Sequence, residues 1–228
     1  MASSLPSSPI VIRCQGILFD MDGILISSIG SVERSWTRWA GMRGLDAEIV
    51  LKSAHGRRAI ENIALLCPDL DSEAELKIVE DFEIADNEGL QALPGVCDLL
   101  RSLPAGGWTV VTSATEKLAR ARLALVGIPA PTHLVTADHV TRGKPHPEPF
   151  LAGAALLGFK PEECVVFEDS ASGAIAGRAA GCTVIATTFS HRAEDLNAAH
   201  YLVEDLTGLT AAQDATGIML RFVPLASQ

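Results

Sequence analysis

Five short apolar runs, rich in β-branched residues, each stop at a polar or glycine-containing loop: GILFD (16–20), WTVVTS (108–113), HLVTA (133–137), ECVVFED (163–169) and CTVIATT (182–188). Between them the apolar spacing is helical, as in EKLARARLALVG (116–127) and PEPFLAGAALLG (147–158), each closed by a glycine suited to a helix C-cap. Parallel strands need a crossover connection, which a helix supplies, so this alternation predicts an α/β fold with a mostly parallel sheet covered on both faces.

One stretch breaks the alternation. Residues 28–92 read as helix after helix, including SVERSWTRWAGM, GRRAIENIALLC and SEAELKIVEDFEIADNEGL, without a persuasive strand. The expected organisation is a core built from residues 1–27 and 93–228, with an all-helical cap domain, 28–92, inserted after the first strand. Hinges are expected near 26–31 and 91–95. MASSLPSSPI at the start reads as a frayed terminus.

Composition narrows the function. Eighteen basic against twenty-eight acidic residues give a net charge of −10, which argues against a protein that must neutralise nucleic-acid phosphates. An acidic protein acting on an anionic substrate needs local positive charge or a metal. The five cysteines are odd in number, scattered and without a C-x-x-C pair, so neither a disulfide framework nor a zinc knuckle is expected. No apolar run approaches the ~20 residues of a membrane span, and the start lacks the basic and apolar regions of a secretory signal. A soluble, cytoplasmic protein is expected, without a nucleic-acid or membrane partner.

In an open parallel sheet, ligands sit beyond the carboxyl ends of the strands. Asp20 with Asp22, Ser113, and Glu168 with Asp169 all fall at such ends. Lys144 joins them from the loop TRGKPHPEPF, stiffened by Pro145, Pro147 and Pro149. Asp20 and Asp169 are hard oxygen donors suited to Mg²⁺. Crowded carboxylates repel one another, so a divalent ion or the Lys144 ammonium is needed to keep them charged. A charged Asp20 can attack phosphorus and form an aspartyl-phosphate. Asp22 can then protonate the leaving alkoxide and later deprotonate water. Lys144, the metal, Ser113 and nearby backbone N–H groups such as that of Ala114 would balance charge on the phosphoryl oxygens.

The segments DMDG, VVTSAT, GKPHPEP and FEDSASG, in this order after apolar strands, resemble the four motifs of the haloacid dehalogenase superfamily of phosphohydrolases. The resemblance spans roughly residues 12–205. It implies a Rossmann-like core with a helical cap inserted after the first motif. It also implies Asp20 as nucleophile and metal ligand, and Asp22 as acid/base with its backbone carbonyl on the metal. Ser113 and Lys144 would bind phosphate, and Asp169 would hold the metal with Glu168 in support. Within the superfamily, AHGRRAIENIALLCPDL, LPGVCDLL and ADHVTRGKPHPEPFLAGAALLGF are similar to phosphatases of glycerol phosphate, 2-deoxyglucose 6-phosphate and other sugar phosphates. Ile24 stands where Thr is common in the first motif, and Ser27 where an acid is frequent.

The function implied by the resemblance is that of a Mg²⁺-dependent phosphatase of small sugar or polyol phosphates, expected to act as a monomer. The alternative is a β-phosphoglucomutase-like transferase using the same phosphoaspartate. Some residues have two readings. Thr112 or Ser113 either caps the helix that follows or faces an anion, and the two roles are compatible. Glu168 either touches the metal or pairs with a base. The cluster His55, Gly56, Arg57 and Arg58 is either a solvated helix start or a specificity loop, with His55 and Arg58 as its substrate-binding candidates. Trp36 and Trp39 read as cap core. The glycines of SASGAIAGRAAG lack the G-x-G-x-x-G spacing and read as close helix packing.

Overall fold

The computed structural model describes residues 8–54 and 57–226. His55, Gly56, residues 1–7 and residues 227–228 lie outside that set, so the reading of His55 as a substrate ligand, and that of the start as a frayed terminus over residues 1–7, fall on residues not described. Ile10, at the end of that stretch, instead begins a strand and pairs with Phe222.

The chain opens with β1 (Ile10–Cys14) and β2 (Gly16–Phe19). Helices α1 (Ile29–Arg43), α2 (Ala47–Ala54), α3 (Ala59–Leu66) and α4 (Ser72–Ala85) follow without an intervening strand. Next come α5 (Val96–Ser102), β3 (Trp108–Val110), α6 (Glu116–Leu125) and α7 (Glu148–Leu157). The last third holds β4 (Cys164–Glu168), α8 (Ala171–Ala179), β5 (Thr183–Thr187), β6 (Tyr201–Val203), β7 (Thr210–Asp214) and β8 (Gly217–Phe222).

Five strands form a parallel sheet in the order β3-β2-β4-β5-β6. All residues of β2 and β4 are buried, as expected of central strands with helices on both faces. Phe19 stacks on Phe167 at 5.1 Å in one core. Leu18 and Val166 point the other way, into a second core with Phe150 and Ala174. Each fully buried side chain of this size contributes about 1.5–3 kcal/mol.

Three details differ from the sequence expectation. HLVTA forms no strand of its own: Val135 makes a single parallel bridge to Val111, and the chain then turns into a 3₁₀ segment at Ala137–His139. α6 stops before Gly127, with Val126 at its C-cap, although Gly127 does adopt φ +71°. Strands β1, β8 and β7 make a separate antiparallel sheet that joins the two ends of the chain.

Helices α1 to α4 pack on a small core of their own around Trp36, Trp39, Val50, Ile63 and Val79. Glu75 anchors it, accepting from Trp39 Nε1 at 2.7 Å and from the Arg43 fork at 2.7 and 2.8 Å. The connections into and out of this segment run side by side: Ser27 N donates to Gln91 O at 2.9 Å, and Leu93 N to Leu25 O at 3.0 Å. Two paired strands of chain are thus the covalent link between the helical segment and the sheet.

Candidate active site

Because β2 and β4 are parallel neighbours with Phe19 opposite Phe167, the residues after them leave the sheet together. Asp20 follows β2, while Glu168 ends β4 and Asp169 comes next. All three are buried, and their carboxylates offer oxygens lying within 4.8 Å of one another. The loop before α7 carries Lys144 beneath them, 1 % exposed, with Nζ 2.9 Å from Asp20 Oδ1 and 2.6 Å from Glu168 Oε1. Glu168 Oε2 accepts from the N–H groups of Asp169 and Ser170 and from the Ser170 hydroxyl. Glu168 thus pairs with a base, and it is also one of the three buried carboxylates whose oxygens could hold a metal ion, so both readings fit its position.

Glycine is required twice. Gly23 has φ +77°, and a β-carbon there would lie 1.8 Å from Asp169 Oδ2, so the glycine of DMDG lets the loop lie against the β4 acid. The helical Gly173 would likewise meet Glu168. Ile24 is buried in the main core, so the apolar residue at that position packs.

Burial pushes Asp20 up to about 8; Lys144 pulls it down, while Glu168 and Asp22 push it further up. Burial also raises Asp169 well above the usual carboxylate range, with Glu168 and Asp20 adding to it. The same burial opposes the charge on Lys144, but Asp20 and Glu168 outweigh it and its pKa is raised. One ammonium thus faces three buried acids. Such a hard oxygen donor set, short of positive charge, fits a divalent cation.

Above the acids lies a cavity of 360 Å³ between the sheet edge and the helical segment, lined by Asp20, Asp22, Ser113, Ala114, Asp169 and Arg58, among others. Volume of this order suits a small ligand. Asp22 reaches its wall with 23 % of its side chain exposed. Its Oδ1 accepts from Ser28 Oγ at 2.5 Å and from Arg122 Nη1 at 2.7 Å. The N-cap of α6 is Thr115, whose hydroxyl accepts from Leu118 N, rather than Thr112 or Ser113. Ala114 N donates to Thr112 Oγ1 at 3.1 Å, so its N–H is engaged within the loop.

Arg58 bridges the helical segment to the Lys144 loop, donating from Nη1 to Thr141 O at 2.9 Å and to Glu61 Oε1 at 3.1 Å. Glu61 also accepts from Gly143 N at 2.9 Å. Trp36 lines the cavity as well as packing in the helical core. Charged residues that line the cavity without having been singled out in the sequence include Glu73, Glu80 and Glu83 on α4 and Arg122 on α6, of which Glu83 and Arg122 are buried. In EKLARARL the arginine is indistinguishable from a solvated helix residue.

Residues 14–181 match the haloacid dehalogenase-like hydrolase family. The chain belongs to that family. This haloacid dehalogenase-like hydrolase is 42% identical over 210 residues to hexitol phosphatase A of Escherichia coli, covering 90% of this chain and 97% of the relative. It is 36% identical over 199 residues to glycerol-1-phosphate phosphohydrolase 2 of Saccharomyces cerevisiae, covering 81% and 80%. Its fold is shared by CbbY from Rhodobacter sphaeroides, solved in complex with phosphate, at TM-score 0.73 and 24% identity over 86% of this chain and 96% of that one. Among the described residues of the hydrolase, no helix is long and apolar enough to cross a membrane.

Proposed function

We propose that this hydrolase is a Mg²⁺-dependent phosphatase of sugar or polyol monophosphates that carries the phosphoryl group on Asp20. The observation that carries the reading is the position of Asp20 on the cavity wall, 2.9 Å from a buried ammonium and two residues from a second, partly exposed acid. The substrate class is supported by the names of the Escherichia coli and yeast relatives.

In the first step an Asp20 oxygen bonds to phosphorus while the bond to the leaving alkoxide breaks, and Asp22 gives that oxygen its proton. In the second, Asp22 takes a proton from water as the water oxygen attacks phosphorus. The bond to Asp20 breaks, and inorganic phosphate leaves. Asp20, Asp169 and the Asp22 backbone carbonyl would hold Mg²⁺, which when bound supplies positive charge to the phosphoryl oxygens. Glu168 fixes Lys144, and Lys144 holds Asp20 in place while countering its charge. Ser113 orients the phosphoryl group. The helical segment, 28–92, serves as a cap that excludes bulk water during the first step and admits one water for the second.

The test is a panel of glycerol, hexitol and hexose monophosphates, assayed for inorganic phosphate with and without Mg²⁺. Mg²⁺-dependent phosphate release from at least one is expected. An isomeric sugar phosphate without inorganic phosphate would make the protein a transferase. Mg²⁺-dependent binding without turnover across the panel would make it a non-catalytic binding module.

A further inference from the structure

Arg122 lies outside the four motifs, yet its guanidinium bridges the two halves of the site. Nη1 donates to Asp22 Oδ1 at 2.7 Å, and Nη2 stands 3.4 Å from Oε2 of Glu83. Asp22 belongs to the loop after β2, Arg122 to α6, and Glu83 to α4 of the helical segment. Arg122 and Glu83 are 2 % and 6 % exposed. The same two helices meet at further contacts: Lys117 Nζ lies 2.6 Å from Glu80 Oε2, and the Thr115 hydroxyl donates to Glu80.

A general acid must present its proton along a defined line to the leaving oxygen. The terminal torsion of an aspartate is broad, so its aim has to come from its neighbours. Ser28 and Arg122 both grip Oδ1, and the charge-assisted contact from Arg122 is of the stronger kind. A single guanidinium serves two acids here, one from each side of the cavity. Burial pushes Glu83 up to about 7, against the pull of Arg122 and with the push of Asp22, so this acid sits in a site where the nearby guanidinium is its principal compensation.

We propose that Arg122 is a positioning residue for Asp22, and that Glu83 makes this positioning depend on the docked helical segment. The inference rests on the phosphatase reading. With α4 against α6, the fork is held at both ends and the Asp22 carboxylate is aimed; when the segment moves away, one end is released. Closure over the substrate and readiness of the acid/base are thereby one event.

The two chemical steps separate under p-nitrophenyl phosphate, because nitrophenolate leaves without needing a proton. The first step then does not call on Asp22, whereas attack of water still does. For Arg122→Lys we expect a burst of close to one nitrophenolate per enzyme, followed by a steady state about 10- to 100-fold slower than wild type, a fraction of the full worth of an acid/base group. Glu83→Gln, which preserves shape, should show the same pattern with a loss of roughly 3- to 10-fold. A purely structural role lowers burst amplitude and steady state together. That result, or steady-state rates within about twofold of wild type in both variants, overturns the proposal. Should Arg122→Lys fail to fold, Glu83→Gln decides alone. A burst from Asp20→Asn would instead reject the phosphoaspartate itself, so the two failures are distinguishable.

Discussion

A β-carbon placed on Gly173 would stand 1.8 Å from Oε1 of Glu168. That oxygen is the one holding Lys144 Nζ at 2.6 Å, and the same ammonium reaches Asp20. A glycine in the first turn of α8 therefore leaves room for the charge arrangement under the site.

Gly173→Ala should lower stability by roughly 2–5 kcal/mol, combining overpacking with disruption of a buried charge pair. Helix propensity alone predicts the opposite sign, a gain of up to about 1 kcal/mol. Urea denaturation distinguishes them, and an alanine variant as stable as wild type would remove the close approach from the account.

Asp20→Asn should abolish turnover of a sugar phosphate while the protein stays folded, because it deletes the attacking oxygen's charge but keeps the shape. Asp22→Asn should slow turnover by about 10²- to 10⁴-fold, the range for a lost acid/base group. Phosphate release and circular dichroism on the same preparations check both, and undiminished turnover in either variant would falsify its assigned role.

Removal of divalent ions with a chelator should stop phosphate release, and Mg²⁺ should restore it. Binding to the folded state also raises its stability, so Mg²⁺ should raise the melting temperature of the wild type. In Asp169→Asn the shift should vanish, and an equal shift in that variant would place the cation elsewhere.

Glu83 predicts a pH dependence. Its folded pKa of about 7 lies above the ordinary value of 4.5, so the folded protein holds this proton more tightly than the unfolded chain. The contribution to stability is complete below about pH 4.5, declines as pH rises, and is lost above about pH 7; the gap is worth roughly 3 kcal/mol. Glu83→Gln has no such proton to lose. The stability of wild type relative to this variant should therefore fall between pH 5 and pH 8 in denaturant titrations. A pH-independent difference contradicts the assignment.

The amino-acid order by itself determined the alternation of strand and helix, the run of helices that follows the first strand of the parallel sheet, and the convergence of Asp20, Lys144 and the Glu168–Asp169 pair at one sheet edge. These are short-range properties. An apolar run ending in an acid marks a strand tip, and a chain of parallel strands brings its tips to one edge. Tertiary packing alone decided the rest. β1 pairs with β8 across about two hundred residues, with Ile10 opposite Phe222, a match that no local period encodes. Asp20 and Glu168 come to share Lys144 because β4 lies next to β2 and the loop before α7 brings the lysine to both. Arg122 reaches Asp22 across a separation of 100 residues, and Glu83 across 39. In one dimension a charged residue on a helix looks like any solvated one. Whether it meets water or another charge depends on which element covers that face, and the covering helix here comes from a different part of the chain.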